Sequence, residues 1–424
     1  MSEEPHQSIV VHIFHRDLRT VDNAAFNQAA QRARETKSKL LPLFIFTPEQ
    51  VGEQNTLRST ASIEFMLNSL DDLNEQLYHN LTVIHATQLE ALLALASAST
   101  YRIVAISEQR DYTPYAIKRE TETLFFATHN MIPYLIAEDV YLTNPGSVLN
   151  KSKRPFQKFT PFYEAAKRQQ VAKPTANPAN LKSLLLTTAT KIKTTVKGQT
   201  TLKAMRTLLV PKPNPQLHVK GGRTEALRLL KAPPPDYTHE HDIPSVPTSN
   251  LSAHNHFGTV SIREVYHAIT NEAFRRQLYW RDFYGQICFF FETLYKTSPY
   301  EFQKDPQPGW STDKAEFKKW TEGNTGHALV DAGMRQLKAT GYIHNRARLV
   351  AAIYLTKHLK IHWRWGERHF ARLLVDYDFA QNFGNWCWVA SVLPFSMAPF
   401  RSLDPEIQLK KFDPKRVYVD RWLA

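Results

Sequence analysis

The sequence is poor in cysteine, and it has no tryptophan in its first two-thirds. Its two cysteines, Cys288 and Cys387, exclude a disulfide framework, a zinc ribbon and a four-cysteine iron–sulfur cluster. Such sparse usage is typical of an intracellular, reducing compartment. No apolar run approaches the roughly eighteen residues of a membrane-spanning helix. The first eight letters, MSEEPHQS, resemble neither a secretion signal nor an Arg-rich transit peptide.

Basic residues are in excess, and the formal net charge is +13. A balance of this size favours a polyanionic partner such as nucleic acid, although basic soluble enzymes share it. All eight tryptophans lie at or after Trp280. The indole chemistry therefore belongs to the C-terminal part of the chain.

The first 140 residues alternate continuous apolar runs with helix-like stretches such as 62–79. This pattern predicts an open parallel sheet with helices on both faces, whose ligands bind beyond the carboxyl ends of the strands. No GxGxxG follows the first run, where the charged HRDLRTVDN stands instead, so the usual dinucleotide site is not predicted. The predicted strands are 9–14, 40–46, 81–86, 102–107 and 131–137.

The second part of the chain lacks the alternating strand and helix pattern of the first. Residues 141–216 are loop-like and Lys/Thr-rich, which predicts a long interdomain connection over the surface. Beyond them only helices are indicated, including a long aromatic one over 271–295. Ser249 or Ser252 is expected to cap one helix, and Ser261 with Glu264 to form the capping box of the next. The predicted fold class is α/β + all-α, with an α/β domain over 1–140, the connection over 141–216 and a helical domain over 217–424.

Two clusters in the helical part suggest a ligand. Asn345, Arg346 and Arg348 begin a helix whose next turns are apolar, which suits an anionic ligand or a simple surface cap. Trp280 lies near Gln277 and Arg281 on another helix. An indole beside an amide and a guanidinium suits a flat, hydrogen-bonding ligand such as a base, although core packing also explains Trp280.

The stretch DYDFAQNFGNWCW combines acids, an amide and indoles. Asp376 and Asp378 do not share a helical face, but on a turn both could address one ligand. With Arg346 and Arg348 nearby, they are expected to form paired charges rather than an acid–base dyad. No histidine or third acid is close in sequence, so no metal is predicted.

Together these motifs resemble the photolyase/cryptochrome flavoproteins, and most closely the class I cyclobutane pyrimidine dimer photolyases. The motifs HRDLRTVDN, KFTPF, TSNLS, LYWRDFY, EGNTGHALVDAGMRQLKATGYIHNRAR and DYDFAQNFGNWCW occur in the family's order. The resemblance implies an N-terminal antenna domain and a C-terminal domain that binds one FAD, active as FADH⁻. A folate, a deazaflavin, a second flavin and an empty site all stay open for the antenna.

The resemblance also assigns residues to the flavin. Asn382 matches the position facing flavin N5, where an amide supports the reduced state. Arg348 and Asp376 match an ion pair beside the ring system, and Asp378 matches the carboxylate near the ribityl chain. The full implied set is Tyr237, Thr248, Ser249, Asn250, Leu251 and Ser252 on the phosphate side, with Gln277, Arg281, Asn345, Arg348, Asp376, Asp378 and Asn382.

A second set matches the family's electron-transfer and lesion positions. Trp386 lies nearest the flavin, Trp363 in the middle and Trp310 at the surface of the implied tryptophan chain. The implied lesion side, where a damaged dinucleotide flipped out of duplex DNA would bind, comprises Trp280, Trp388, Asn345, Arg346 and Leu349, with Gln277 at the pyrimidine edge.

The predicted activity is light-driven splitting of cyclobutane pyrimidine dimers by a monomeric deoxyribodipyrimidine photo-lyase, a carbon–carbon lyase. The eukaryotic (6-4) photolyases carry two histidines where Asn345 and Leu349 stand, so that activity is a lower-ranked alternative. A function as a cryptochrome-like blue-light photoreceptor is the other lower-ranked alternative. Three departures from the dimer-repair pattern are noted: Gln277 for Glu, Leu349 for Met and His241 for Arg.

Overall fold

The computed structural model describes residues 7–98, 100–187, 196–234, 236–291, 309–392, 397–398 and 402–424. Strands and helices alternate in the first part of the chain, and helices follow in the second. The strands are β1 Gln7–Phe14, β2 Lys39–Phe46, β3 Thr82–His85, β4 Tyr101–Gln109, β5 Tyr134–Ala137 and β6 Gln199–Thr200. The helices of the first part are Ala24–Glu35, Pro48–Val51, Thr60–Gln76, Gln88–Ser97 and Pro114–His129.

One sheet holds all six strands in the order β5-β4-β1-β2-β3-β6. The first five are parallel and coincide with the five predicted strands, so the α/β prediction is confirmed. β5 begins at Tyr134 rather than at Met131. Met131 has a φ of +55° and lies in the turn after a helix, and Pro133 has no N–H to offer a ladder.

The central strands are buried on both faces. Ile9, Val11 and Ile13 of β1 point into one hydrophobic cluster, while Val10 and Phe14 point into another. This alternation explains why the strands read as continuous apolar runs, since neither face meets water.

The predicted surface connection, 141–216, is more ordered than expected. It contains the helices Phe159–Ala166, Leu181–Leu184 and Leu202–Leu209, and β6 pairs antiparallel with β3. Leu185, Leu186 and Met205 are buried against the α/β core. The prediction of a solvated connection is wrong for these residues, because scattered apolar side chains in a Lys/Thr-rich stretch gave no periodic signal.

The second part is helical, as predicted. Ser261 and Glu264 form the expected capping box. The predicted caps Ser249 and Ser252 are wrong, since that helix begins after Leu251 with no side-chain cap. The long aromatic helix is confirmed from Glu272 to Phe290, and residues 292–295 lie outside the described part. The helices are Arg223–Lys231, Tyr237–Glu240, Ser252–Phe257, Ile262–Ala268, Glu272–Phe290, Lys314–Glu322, Ala328–Thr340, Asn345–Ile353, Tyr354–His358 (a π-helical turn), Trp363–Leu373, Phe379–Ala390, Pro405–Phe412 and Val417–Leu423.

The charged loop after β1 joins the two parts. The backbone N–H of Leu18 donates to the carbonyl of Phe257 at 3.1 Å. Gly258 has a φ of +62°, and a Cβ there would lie 2.1 Å from the carbonyl oxygen of Arg16. Only glycine permits this approach, which brings the Arg16 side chain to the helical part. None of the described helices has the length and apolar character needed to span a membrane.

Candidate functional site

A cavity of about 340 Å³ opens among the helices of the second part. Its wall combines the loop 248–252, the helix Glu272–Phe290, the start of Asn345–Ile353 and the helix Phe379–Ala390. The thirteen residues that the sequence assigned to FAD all line it: Tyr237, Thr248, Ser249, Asn250, Leu251, Ser252, Gln277, Arg281, Asn345, Arg348, Asp376, Asp378 and Asn382.

Two helices close the cavity by packing unusually near each other. Gly384 lies against Tyr284, and a Cβ on that glycine would stand 2.2 Å from the tyrosine ring. The Tyr284 hydroxyl donates to Asn385 Oδ1 at 3.1 Å. The sequence FGNW therefore fixes how closely this wall approaches the opposite helix.

The two acids of the opening motif have separate partners. Asp376 pairs with Arg348 Nη2 at 3.3 Å, as expected. Arg346 does not join them, because its Nη2 lies 2.5 Å from Asp242 and its guanidinium covers the ring of Phe412. The expectation that both arginines face the acid pair is wrong for Arg346. Positions two apart on a helix point to different sides, so Arg346 and Arg348 meet different partners.

Asp378 is the most strongly held charge of the site. It begins the helix Phe379–Ala390, and its Oδ1 accepts from the Gln381 N–H at 3.0 Å. Arg16 donates to Oδ2, and His256 Nδ1 lies 3.4 Å from the same atom. Burial alone raises the pKa of this carboxyl, but Arg16 and His256 outweigh it and hold the pKa of Asp378 well below its usual range. The cavity therefore keeps a buried anion at neutral pH.

Asn382 is oriented by a residue that the sequence did not single out. Its Nδ2 donates to Glu367 Oε1 at 3.1 Å and to the Glu367 carbonyl at 3.2 Å. Both amide hydrogens are engaged, so Oδ1 is left for a donor in the cavity. Burial raises the pKa of Glu367.

The loop 248–252 supplies hydroxyls and backbone groups. Because neither Ser249 nor Ser252 caps the helix, both hydroxyls stay in the cavity wall. Asn250 adopts a φ of +54°, and its Oδ1 lies 2.9 Å from His218 Nε2. His218 in turn stacks on Tyr342 with ring centroids 3.8 Å apart. This support fixes the loop in one shape.

The three predicted electron-transfer tryptophans differ in burial and in whether they line the cavity. Trp386 lines the cavity and is buried, whereas Trp363 is buried against Phe383 and is not in the lining. Trp310 is half-buried. The His362 ring stands between the outer two, 6.0 Å from Trp363 and 5.4 Å from Trp310. The His362 ring thus links Trp310 to Trp363.

The predicted lesion residues divide into two groups. Gln277, Asn345 and Leu349 line the cavity. Trp280 and Trp388 are half-buried outside its lining, as is Arg346. Trp280 stacks on Phe159 at 3.6 Å, with the planes only 7° apart. The KFTPF motif therefore supports the indole on one face.

Three functional candidates were missed from the sequence: Arg16, His256 and Glu367. The sequence shows a charged loop after β1, but no local pattern links Arg16 to an acid more than three hundred residues later. The only signal available was that loops beyond parallel strands carry ligands.

A polar ligand fits this cavity. Arg281 Nε, Arg348 Nε and Asn255 Oδ1 are buried in its wall and have no partner among the described residues. Such atoms are costly unless a ligand or water meets them. A ligand with hydrogen-bond acceptors for the two guanidinium nitrogens and a donor for the amide oxygen satisfies this set. Within the described ranges, no group of three His, Cys, Asp or Glu side chains has metal-binding geometry.

The family models that match this chain describe DNA photolyases. Residues 10–179 match the family model "DNA photolyase", and residues 274–424 match "FAD binding domain of DNA photolyase". The deoxyribodipyrimidine photo-lyase of Alkalihalophilus pseudofirmus is 32% identical over 97% of this chain and 86% of its own. The chain belongs to the DNA photolyase family. The predicted family, the FAD-binding domain and the assignment to light-dependent DNA-repair enzymes are therefore confirmed.

Two solved structures extend the comparison. An archaeal photolyase from Sulfolobus tokodaii with two FAD molecules is 32% identical, with a TM-score of 0.85 over 98% of this chain and 90% of that one. A cryptochrome from Synechocystis is 23% identical, with a TM-score of 0.84 over 99% of this chain and 89% of its own. The second comparison concerns the fold alone, and both agree with the predicted two-part architecture.

Proposed function

We propose that this photolyase splits cyclobutane pyrimidine dimers in duplex DNA, using the cavity for FAD and the adjoining surface for the flipped-out lesion. Reduced FAD supplies light-driven one-electron chemistry when bound. The observation that carries the proposal is the convergence of all thirteen motif residues on one cavity whose wall holds unpartnered buried polar atoms.

The chain's own residues would hold the cofactor and fix its state. The hydroxyls of Thr248, Ser249 and Ser252 suit a pyrophosphate, and the Arg348–Asp376 pair would border the ring system. Asn382 would present Oδ1 to the flavin N5 edge, because Glu367 holds its amide hydrogens. An acceptor there favours a flavin that carries a proton on N5, as the reduced cofactor does.

Neutral groups at the lesion side favour dimer repair over (6-4) repair. Asn345 and Leu349 supply no acid, and Gln277 can donate and accept but not protonate. His241 lines the cavity, but its Nδ1 lies 2.8 Å from the Tyr237 carbonyl and its ring stacks on Tyr237. The neutral walls suit a bond that breaks by electron transfer without acid catalysis.

We further propose an oligomeric state, a compartment, an antenna and an electron-transfer path for this protein. The protein acts as a monomer in a reducing intracellular compartment, with domains over 1–140 and 217–424 and the connection between them. The photolyase of Sulfolobus tokodaii holds two FAD molecules, so we favour a second flavin over a folate or deazaflavin as the antenna. The tryptophans Trp386, Trp363 and Trp310 carry electrons from the surface to the oxidised cofactor.

The test is a comparison of two lesions. Matched duplexes carrying one cyclobutane thymine dimer or one (6-4) photoproduct are illuminated with the anaerobically reduced protein. We expect the cyclobutane dimer to be lost at least about tenfold faster, because no acid is placed for the second reaction. Dark samples are the control. Preferential loss of the (6-4) product contradicts the proposal and points to His241 as an acid.

A further inference from the structure

Arg364 lies directly against the middle tryptophan of the proposed chain. It is the second residue of the helix Trp363–Leu373, and its N–H donates to His362 Nδ1 at 3.2 Å. Its guanidinium carbon stands 4.5 Å from the centre of the Trp363 ring and 5.1 Å from that of Phe383. The cation is thus held over two aromatic faces, of which only the indole is readily oxidised.

Arg364 forms no salt bridge with an acid among the described residues, although Glu367 lies near enough to attract it. The Nη2 of Arg364 is buried and donates no hydrogen bond to any of the described residues. The acid one turn along the helix, Glu367, is engaged with Asn382 instead. Burial lowers the pKa of Arg364 and raises that of Glu367. Arginine nevertheless remains charged in proteins, so a cation without a salt bridge among the described residues faces Trp363.

Such a cation acts oppositely on the two redox states of the indole. A neutral ring attracts it through its negative face, whereas a ring that has lost one electron repels it. We propose that Arg364 is a positioning residue for electron transfer, which destabilises the oxidised form of Trp363 and so shortens the time that the hole spends there before it reaches Trp310. This inference rests on the proposed role of the three tryptophans.

Trp310 supplies the electron for this transfer and loses the accompanying proton. One electron leaves the indole of Trp310 and fills the vacancy on Trp363, whose neutral contact with Arg364 is thereby restored. Trp310, being half-buried, then releases its indole N–H proton to water. An external thiol later returns an electron and a proton to it. Without the cation, the vacancy would remain longer on Trp363 before an electron from Trp310 fills it.

The experiment uses the FAD-loaded protein with Arg364→Met and Arg364→Lys. Transient absorption after a blue flash separates protonated tryptophan radical cations from deprotonated tryptophan radicals. We expect Arg364→Met to slow the appearance of the deprotonated radical about tenfold and to lower its yield. Arg364→Lys, which keeps the charge, should stay within about threefold of the parent. Unchanged kinetics in Arg364→Met, or an equal defect in both variants, overturns the inference.

Trp363→Phe distinguishes this inference from the proposed chain. If Trp363→Phe leaves the radical signal and photoreduction intact, the tryptophan chain itself is wrong. If Trp363→Phe removes the signal while Arg364→Met behaves as the parent, only the role of Arg364 fails. Melting temperatures of all variants show whether a kinetic change merely follows a loss of packing.

Discussion

Replacing Trp386 by phenylalanine is expected to slow the light-driven reduction of bound oxidised FAD by at least about tenfold. Trp386 is the one member of the proposed chain that lines the cavity, and it packs against Phe370 at 5.1 Å. A phenyl ring is much harder to oxidise than an indole. The variant therefore removes the first electron donor while keeping an aromatic ring in the wall.

The measurement is flavin absorbance under blue light with an external thiol. Dimer repair by protein reduced beforehand should stay within about threefold of the parent, since that reaction needs no electron from the chain. Trp422→Phe is the matched control, because Trp422 is half-buried in the last helix. Photoreduction at the parent rate in Trp386→Phe removes Trp386 from the pathway.

Replacing Arg16 by glutamine is expected to destabilise the protein by about 3–5 kcal/mol and to weaken FAD retention. Arg16 bridges Asp378 and Asp111, and its partner Asp378 is fully enclosed. Removing the cation leaves a buried carboxylate whose remaining close partners are His256 and the Gln381 N–H. The same change removes some of the contacts that hold the loop after β1 against the helical part.

The effect should depend on pH in a defined direction. Since the folded state holds the pKa of Asp378 well below its ordinary value of 3.8, the pair stabilises the fold above that pH. The stabilisation is lost as the pH falls through 3.8 towards the folded pKa. The difference in unfolding free energy between Arg16→Gln and the parent should therefore narrow under acid.

Arg110→Gln is the control for this experiment. Arg110 also bridges two acids, Glu120 and Glu138, but its side chain is 35% exposed. Exposed pairs contribute about 0–1 kcal/mol. Urea unfolding of the three proteins at neutral pH gives the comparison. Equal losses in both variants show that Asp378 does not depend on Arg16 for its charge.

The sequence predicted those parts of the protein that repeat a local pattern. Continuous apolar runs located five strands, since both sheet faces are covered, and Ser261 with Glu264 located a helix start. Linear motifs assigned thirteen residues to one ligand, and they meet in one cavity. Each of these features is carried by residues close together in the chain.

Features that depend on distant residues were beyond the sequence. The contact of Arg16 with Asp378 depends on how the α/β part docks, and that docking requires Gly258. The contact of Arg346 with Asp242, rather than with the acid motif, could not be predicted because the sequence did not fix which side of the helix Arg346 would face. The two-residue strand β6 depends on a neighbouring edge rather than on its own composition.

Blue-light restoration of thymines tests the central claim most directly. A duplex containing one cyclobutane thymine dimer is mixed with protein whose FAD has been reduced, and intact thymines are quantified by chromatography after illumination. The account predicts that thymines reappear only with light and only when the FAD is reduced, at close to one lesion per turnover. Failure to restore thymines in the light, or equal restoration in the dark, would contradict it.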